Sequence, residues 1–404
     1  MPRPEQSELF NPAPLPTAQL SEAERVACLR LIRSENVGPV TFRELINHFG
    51  GAQNALEALP ELSRRGGFGR PVRICPLAEA EQELENARRC GATPLFTIEP
   101  GYPAMLARID APPPMLYVKG RLELLNKPAV AIVGSRQCSA AGAQLARRFG
   151  HDLGEAGLVV VSGLARGIDR AAHEASLASG TIAVLAGGID WVYPREHADL
   201  QRVIGENGCL ATDRPPGFNP REKDFPRRNR FIAGLAYGVI IVEAALRSGT
   251  LTTARYANDL GREVFALPGN PLDPRAEGTN RLLKQGATLV TEPQEVIEVL
   301  QPIIGQPTFR EPSSDAEFSP RITADQPAPR PISPSPHPRR GSGGPEDMDA
   351  VLTALGPAPI AIDAIARATG LPIQSVQIAL LELDLAGRIE RQGLSLVALK
   401  STVS

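Results

Sequence analysis

The chain has 404 residues, 42% hydrophobic and 22% charged, with a net charge of −2. That length exceeds one compact core, so about two to four domains are expected, and the near-neutral balance excludes a global basic field, leaving any nucleic acid to be held by a local patch. Cys28, Cys75, Cys90, Cys138 and Cys209 are scattered with no CxxC pair, which excludes a disulfide framework or zinc site as expectations and points to a reducing compartment.

In chain order, residues 1–19 are proline-rich and read as a disordered N-terminus. Met1 to Pro16 has no apolar h-region, so no signal peptide is expected. From Ser21 the pattern turns helical: Ser21 can cap, Glu24 follows three residues on, then Val26, Leu29 and Ile32. Asn36-Val37-Gly38-Pro39-Val40-Thr41 then leads to Leu45, Ile46 and Phe49 and closes on Gly50-Gly51. Helix, Gly-Pro hairpin, helix is similar to the helix-hairpin-helix unit, whose hairpin N–H groups can hold a DNA phosphate; many such units serve only packing, and both readings stand. Leu56, Leu59 and Leu62 continue this small helical domain, SAM or helix-hairpin-helix-like, over residues 20–75.

Residues 76–304 change character. Leu77 to Cys90 reads as a helix and Ala92 to Ile98 as a strand, before a proline-rich loop and Met115–Val118. Strands then alternate with helices, beginning at Ala129–Val133, Leu158–Ser162, Thr181–Ala186, Gly208–Ala211, Gly238–Glu243, Glu263–Ala266 and Thr288–Val290. Continuous apolar strands between helices predict a parallel sheet covered on both faces, a doubly wound Rossmann-like α/β domain. The apolar run Gly234 to Leu246 is short and carries Glu243, so no membrane span is expected. Residues 305–345, rich in Pro, Ser, Arg and Gly, read as a flexible linker. Residues 346–404 read as three helices and a hairpin, a winged-helix domain. Its third helix, 373–385, has no Lys or Arg and carries Glu382 and Asp384, and acids outnumber cations across the domain. That opposes phosphate binding and favours contact with protein.

The chemistry is expected beyond the carboxyl ends of the strands. Ala129–Val133 ends in Gly134-Ser135-Arg136, where a helix beginning near Ala140 offers free N–H groups and its dipole to an anion, most often a phosphate. Arg136 adds a planar fork of donors. Ser162-Gly163-Leu164-Ala165-Arg166-Gly167-Ile168-Asp169, Gly187-Gly188-Ile189-Asp190 and Glu243 through Ser248-Gly249-Thr250 should line the same mouth. Asp169 and Asp190 read as caps of the helices that follow them. Neither GxGxxG with a downstream acid nor GxxxxGK[ST] is present, so no dinucleotide or nucleoside-triphosphate cofactor is indicated. Between Arg214 and Arg230 a loop-like stretch gathers Arg214, Arg221, Lys223, Arg227, Arg228 and Arg230 against Glu222 and Asp224, interrupted by Phe218, Phe225 and, at its end, Phe231. Cations interleaved with aromatics suit a single nucleic-acid strand, with phosphate contacts dominating because aromatics are only 4% of the chain.

Gly134-Ser135-Arg136, the Ser162–Asp169 loop, Phe225-Pro226-Arg227-Arg228-Asn229-Arg230 and Ser248-Gly249-Thr250-Leu251-Thr252-Thr253-Ala254 resemble the signatures of the DNA-processing protein DprA (Smf) family, in motif order from Val130 to Val290. The resemblance implies a bacterial cytoplasmic protein that binds and protects incoming single-stranded DNA in natural transformation. It also implies a homodimer through the Rossmann domain and help in loading the recombinase RecA. Carried over by position, Arg136, Arg166, Lys223 and Arg228-Asn229-Arg230 would contact DNA, with Gly134, Ser135, Ser162, Gly163, Arg227, Ser248, Gly249 and Thr250 completing the site. Position 166 often carries lysine in the family, and arginine keeps the charge. The rival reading is an enzyme, a nucleotide-hydrolysing Rossmann protein similar to the phosphoribohydrolases. Against it, Ser248–Thr253 lacks the glutamate that such a loop would supply as base, and His48, His151, His173, His197 and His337 are dispersed. A third reading, a protein-interaction scaffold, predicts no affinity for DNA.

Overall fold

A computed structural model describes residues 19–67, 70, 72–304, 345–393 and 395–400; the expected disordered start and the linker fall almost wholly outside them. Four helices open the described chain: α1 (Glu22–Arg33), α2 (Pro39–Phe49), α3 (Ala52–Arg65) and α4 (Leu77–Arg89). The start of α1 is the capping box its spacing predicts, with Ser21 Oγ accepting from the Glu24 N–H and Glu24 accepting from the Ser21 N–H at 2.8 Å. Pro39 at the first position of α2 sets the helix without needing an N–H, and Gly50 ends it at φ 71°, a conformation open to glycine.

The sheet then begins with β1 (Thr93–Phe96), a short α5 (Ala104–Ala107), β2 (Met115–Gly120) and β3 (Ala129–Val133). The alternation continues through α6 (Ala140–Glu155), β4 (Val159–Ser162), α7 (Ile168–Ser176), β5 (Thr181–Val184), α8 (Ala198–Asn207) and β6 (Cys209–Thr212). It closes with α9 (Asp224–Leu235), β7 (Gly238–Ile241), α10 (Thr250–Asp259), β8 (Glu263–Ala266), α11 (Glu277–Lys284), β9 (Thr288–Leu289) and α12 (Pro293–Ile304). The strands form one nine-stranded sheet in the order β1-β2-β6-β5-β4-β3-β7-β8-β9. From β6 to β9 every pairing is parallel. The sheet is not parallel throughout: β2 runs antiparallel to β6, and β1 antiparallel to β2.

Chain order runs outward from β3 through β4, β5 and β6 on one side, and from β7 through β8 and β9 on the other. The switch point therefore lies between the ends of β3 and β7, where a doubly wound sheet opens its ligand crevice. Alternate side chains of the central strands enter different cores. Val130, Ile132, Val160 and Ile240 pack with α6, α7 and α12. Ala131, Val133, Val161 and Ile241 pack with α9 and α10 on the other face.

The last described part is α13 (Pro345–Ala354), β10 (Ile360–Ala361), α14 (Ile362–Thr369), α15 (Ile373–Leu385), β11 (Ile389–Gln392) and β12 (Leu396–Leu399). Its small sheet, in the order β10-β12-β11, makes the wing. The helix of a winged-helix unit that ordinarily faces DNA, α15, is turned inward here. Leu381 and Leu385 share the hydrophobic core of α1 to α4. Gly66, just past α3, lies so close that a Cβ would stand 1.9 Å from the Glu382 carbonyl oxygen. Asn36 Nδ2 donates to the Leu385 carbonyl at 2.9 Å, and Thr41 Oγ1 to Asp384 Oδ2 at 2.7 Å. Arg391 grips Glu44 with two bonds of 2.9 and 2.8 Å and reaches Asp384 at 3.1 Å. The Asp384 carboxylate thus sits at the first turn of α2, beside the hairpin where a helix-hairpin-helix unit would hold a phosphate.

Candidate nucleic-acid interface

The mouth is assembled from backbones that approach unusually closely. At the end of β3, Gly134 lies against Ile168 and the Glu243 carbonyl, with no room for a Cβ. Gly167, the residue before α7, has φ +74°, and a Cβ there would stand 2.3 Å from the Ser135 carbonyl oxygen. Ile168 N–H donates to that carbonyl at 3.3 Å, fastening the β4–α7 loop to the Gly134-Ser135-Arg136 turn. From the other side of the switch point, Thr250 Oγ1 donates to the Gly134 carbonyl at 3.0 Å, and Asn229 Nδ2 to the Gly249 carbonyl at 3.3 Å. The Gly134, Ser162–Asp169 and Ser248–Thr250 loops and helix α9 are thereby held together at one edge.

The cationic stretch is not all loop. From Asp224 onward it is helix α9, and the charged turns lead into β7 only after the apolar half of that helix. Pro226 is compatible with this because it lies in the first turn, where an N–H has no helical acceptor. The helix then sorts its arginines. Arg228 is 6% exposed and faces inward. Its guanidinium fills the space that a side chain at position 163 would need, with Nη1 only 1.2 Å from where a Gly163 Cβ would be. Its Nε has no hydrogen-bond partner. Burial lowers Arg228 to about 10, against the opposing pull of the Asp169 charge, so it is cationic at neutral pH. Burial raises Asp169, while Arg228 and two backbone N–H groups favour its charged form.

Neither aspartate is the cap that its position in the sequence suggests. Asp169 lies inside α7 and its Oδ2 accepts from the N–H groups of Gly163 at 3.1 Å and Ala165 at 3.3 Å, shaping the β4 loop. Asp190 accepts from the Gly217 N–H at 2.8 and 3.0 Å, tying two loops together. The phosphate expected at the start of α6 also meets a different arrangement. Ser139 caps that helix through Gly142 N–H at 2.9 Å. The Glu243 carboxylate sits against Ser139, accepting from its N–H at 2.9 Å and its Oγ–H at 2.5 Å. Burial and the Glu243 charge raise the Cys138 thiol.

The remaining expected residues surround this core. Arg136 is exposed, its guanidinium carbon 5.5 Å from the Phe225 ring centroid. Arg166 is exposed and paired with Glu196, an ion pair of small net worth that a phosphate can replace. Arg227 pairs with Asp213, Arg214 with buried Asp224, and Lys223 is exposed just ahead of α9. Arg230 is turned away from the Gly249 side and donates to the Ala111 carbonyl at 3.1 Å. Ser162 is wholly buried and donates to the Ile132 carbonyl at 2.6 Å, so its role is to hold the loop and its side chain does not reach solvent.

Sequence reasoning passed over Trp191 and Tyr193. Both are exposed, and with Phe225, Pro220, Gly163 and Arg228 they line a cleft beside the mouth. Tyr193 meets Phe225 edge-on at 5.4 Å between centroids. The available signal was two large aromatics within three residues after the Gly187-Gly188 strand end, in a chain with few aromatics. A buried guanidinium with an unpartnered Nε, its carbon 5.9 Å from the Phe225 ring centroid, together with exposed arginines and open aromatic faces on one rim, can take phosphates and bases of an unpaired strand.

Fold and rim together define a Rossmann-like protein with an arginine-lined edge, set between a hairpin-bearing helical domain and a winged helix. Three family descriptions match it in order: the DprA-like N-terminal HHH domain over residues 22–86, DNA recombination-mediator protein A over 93–301, and the DprA winged helix domain over 326–393. The chain belongs to the DprA (Smf) family. It is 32% identical over 399 residues to protein Smf of Synechocystis, covering 92% of this chain and 98% of that one. To DNA processing protein DprA of Streptococcus pneumoniae it is 46% identical over 207 residues, 50% of this chain and 73% of that one. The X-ray structure of the S. pneumoniae protein superposes with a TM-score of 0.57 at 35% identity, covering 68% of this chain and 96% of that chain. A structure of DNA processing protein A from Helicobacter pylori, described for its single-stranded DNA binding mode, covers 52% of this chain and 96% of its own at 31% identity and a TM-score of 0.48. Among the described residues no helix is long and apolar enough to cross a membrane.

Proposed function

We propose that this chain binds single-stranded DNA along the rim of Arg136, Arg166, Lys223, Arg227, Arg228 and Asn229, and acts in the cytoplasm as a mediator of recombination without catalysing a reaction. The observation that carries this reading is the position of Arg228, buried with an unpartnered Nε beneath the same loops that present Arg136 and the Trp191–Tyr193–Phe225 faces. Gly163 contributes by leaving room for that arginine, and Gly134, Ser135, Ser248, Gly249 and Thr250 by belonging to the linked loops that fix the rim. Phosphates engage the exposed guanidiniums, and bases find aromatic faces at one side of the cleft. The family's recombination-mediator description supports transfer of the bound strand to a RecA recombinase. A homodimer through the Rossmann domain is supported by the outer strand β9, whose far edge is unpaired among the described residues and whose Leu289 is 53% exposed.

A titration of fluorescent oligonucleotides, single against double stranded, over a range of salt concentrations tests this. The expected result is sequence-tolerant binding that prefers single strands and weakens steeply with salt; equal affinity for duplex and single strand would overturn it. The hydrolase alternative requires a carboxylate free to act as base, and the Glu243 carboxylate at this mouth is committed to Ser139. Release of free base from nucleoside monophosphates would reinstate that alternative.

A further inference from the structure

In a doubly wound sheet the first helix after the switch-point strand is where phosphate groups of free nucleotides are ordinarily received, because its N–H groups and dipole face the crevice. Here that strand is β3 and that helix is α6. The helix already has its own cap, Ser139 Oγ on Gly142 N–H at 2.9 Å. A second anion is nonetheless present: the Glu243 carboxylate, 104 residues further along the chain, accepts from Ser139 N–H at 2.9 Å and from Ser139 Oγ at 2.5 Å. Gly142 is fitted to that carboxylate, and Gly134 to Ile168 and the Glu243 backbone. A Cβ at Gly142 would stand 2.5 Å from Glu243 Cδ and 2.6 Å from its Oε1, and one at Gly134 would stand 3.1 Å from the Glu243 carbonyl oxygen. Both glycines therefore make room for a side chain and a backbone of this same molecule.

We propose that Glu243 is a specificity-determining residue: its carboxylate fills the phosphate seat of α6, so free nucleotides and pyrophosphate are refused there. This rests on the reading of the rim as a single-strand site. With the seat closed, an incoming phosphate finds mainly dispersed, solvent-facing arginines, each of which holds a lone phosphate weakly. Only a polymer, presenting several phosphates on one backbone, sums enough of these contacts to stay bound. The internal carboxylate thus makes the mouth insensitive to small phosphates while leaving it open to a strand.

The test compares full-length wild type, Glu243→Ala and Glu243→Gln in thermal melts, with inorganic pyrophosphate at about 10 mM against sodium chloride of equal ionic strength. In wild type, pyrophosphate is expected to leave the melting temperature unchanged relative to chloride. Glu243→Ala is expected to melt lower in chloride and to recover specifically with pyrophosphate, because the anion takes the vacated seat. Glu243→Gln, which keeps the volume filled, is expected to melt lower without that recovery. Equilibrium dialysis of pyrophosphate against wild type supplies a second measurement should the alanine variant fail to fold; saturable binding below about 1 mM would overturn the proposal. So would an alanine variant no more responsive to pyrophosphate than wild type. The same preparations are titrated with a labelled single-stranded oligonucleotide. Failure of wild type to bind it refutes the strand-binding reading, whereas the pyrophosphate melts judge the seat by themselves.

Discussion

Arg136→Ala isolates one phosphate contact with little disturbance of the fold. The side chain is exposed, has no ion-pair partner among the described residues, and touches the protein through the face of Phe225 at 5.5 Å. Losing one cation that neutralises one phosphate should flatten the slope of log affinity against log salt by about 0.7 for a single strand. Raising salt fourfold then costs the variant roughly 2.6-fold less affinity than it costs wild type. At low salt the lost contact should weaken binding by about 1–2 kcal/mol, roughly 5- to 30-fold. Fluorescence anisotropy of a labelled oligothymidine at several salt concentrations reads slope and affinity together. Weakened binding with an unchanged slope would mean that Arg136 acts on the shape of the loop, and the proposed role as a phosphate contact would be wrong. An unchanged affinity would remove Arg136 from the site altogether.

Gly163→Ala places a Cβ where Arg228 Nη1 now lies, so the guanidinium must swing away; the free energy of unfolding should fall by only about 1 kcal/mol in urea denaturation, while oligonucleotide affinity drops at least as far as in Arg136→Ala. Burial holds His173 at about 3, with Nε2 lacking a partner. Because the unfolded chain takes up that proton near 6.5, its stabilising effect is full above 6.5 and is lost as pH falls toward 3. Acidification from about pH 7 to pH 5 should cost about 2 kcal/mol in urea denaturation, and a His173→Gln variant should lack that part of the dependence. Arg391→Ala leaves Glu44 and Asp384 together without their cation, whose side chain is 7% exposed; a loss of about 2–3 kcal/mol is expected in denaturant unfolding, and a change below about 0.5 would show the contact to be incidental.

Much of the architecture is legible in the chain because its signals are local. Apolar β-branched runs such as Ala129–Val133 followed by glycine mark the parallel strands, and the Ser21–Glu24 pair marks the start of α1. The strand Ala92–Ile98 is legible as such, but the antiparallel direction of β1 and β2 is not, because strands of four and six residues among prolines carry no signal of their orientation. The start of α9 escapes because Pro226 and four charges in a row of six suggest a loop, while the first turn of a helix tolerates both. The least legible features are pairings across long separations. Ser139 with Glu243, and Asp384 with Thr41, place an internal carboxylate at two helix starts, one that sequence logic gives to phosphate and one where it leaves phosphate and packing both open. Local sequence shows that such a site attracts an anion and says nothing of which anion arrives first.

The clasp between α15 and the α1–α3 bundle makes the molecule a closed circuit, with its opening and final domains meeting on the far side of a long connection. A protease that nicked the chain between residues 304 and 345 would yield two fragments that still copurify, held by Leu381, Leu385 and Arg391. Deleting the winged helix would instead strip the bundle of a greasy cover, so a shortened chain risks clumping for reasons unrelated to DNA.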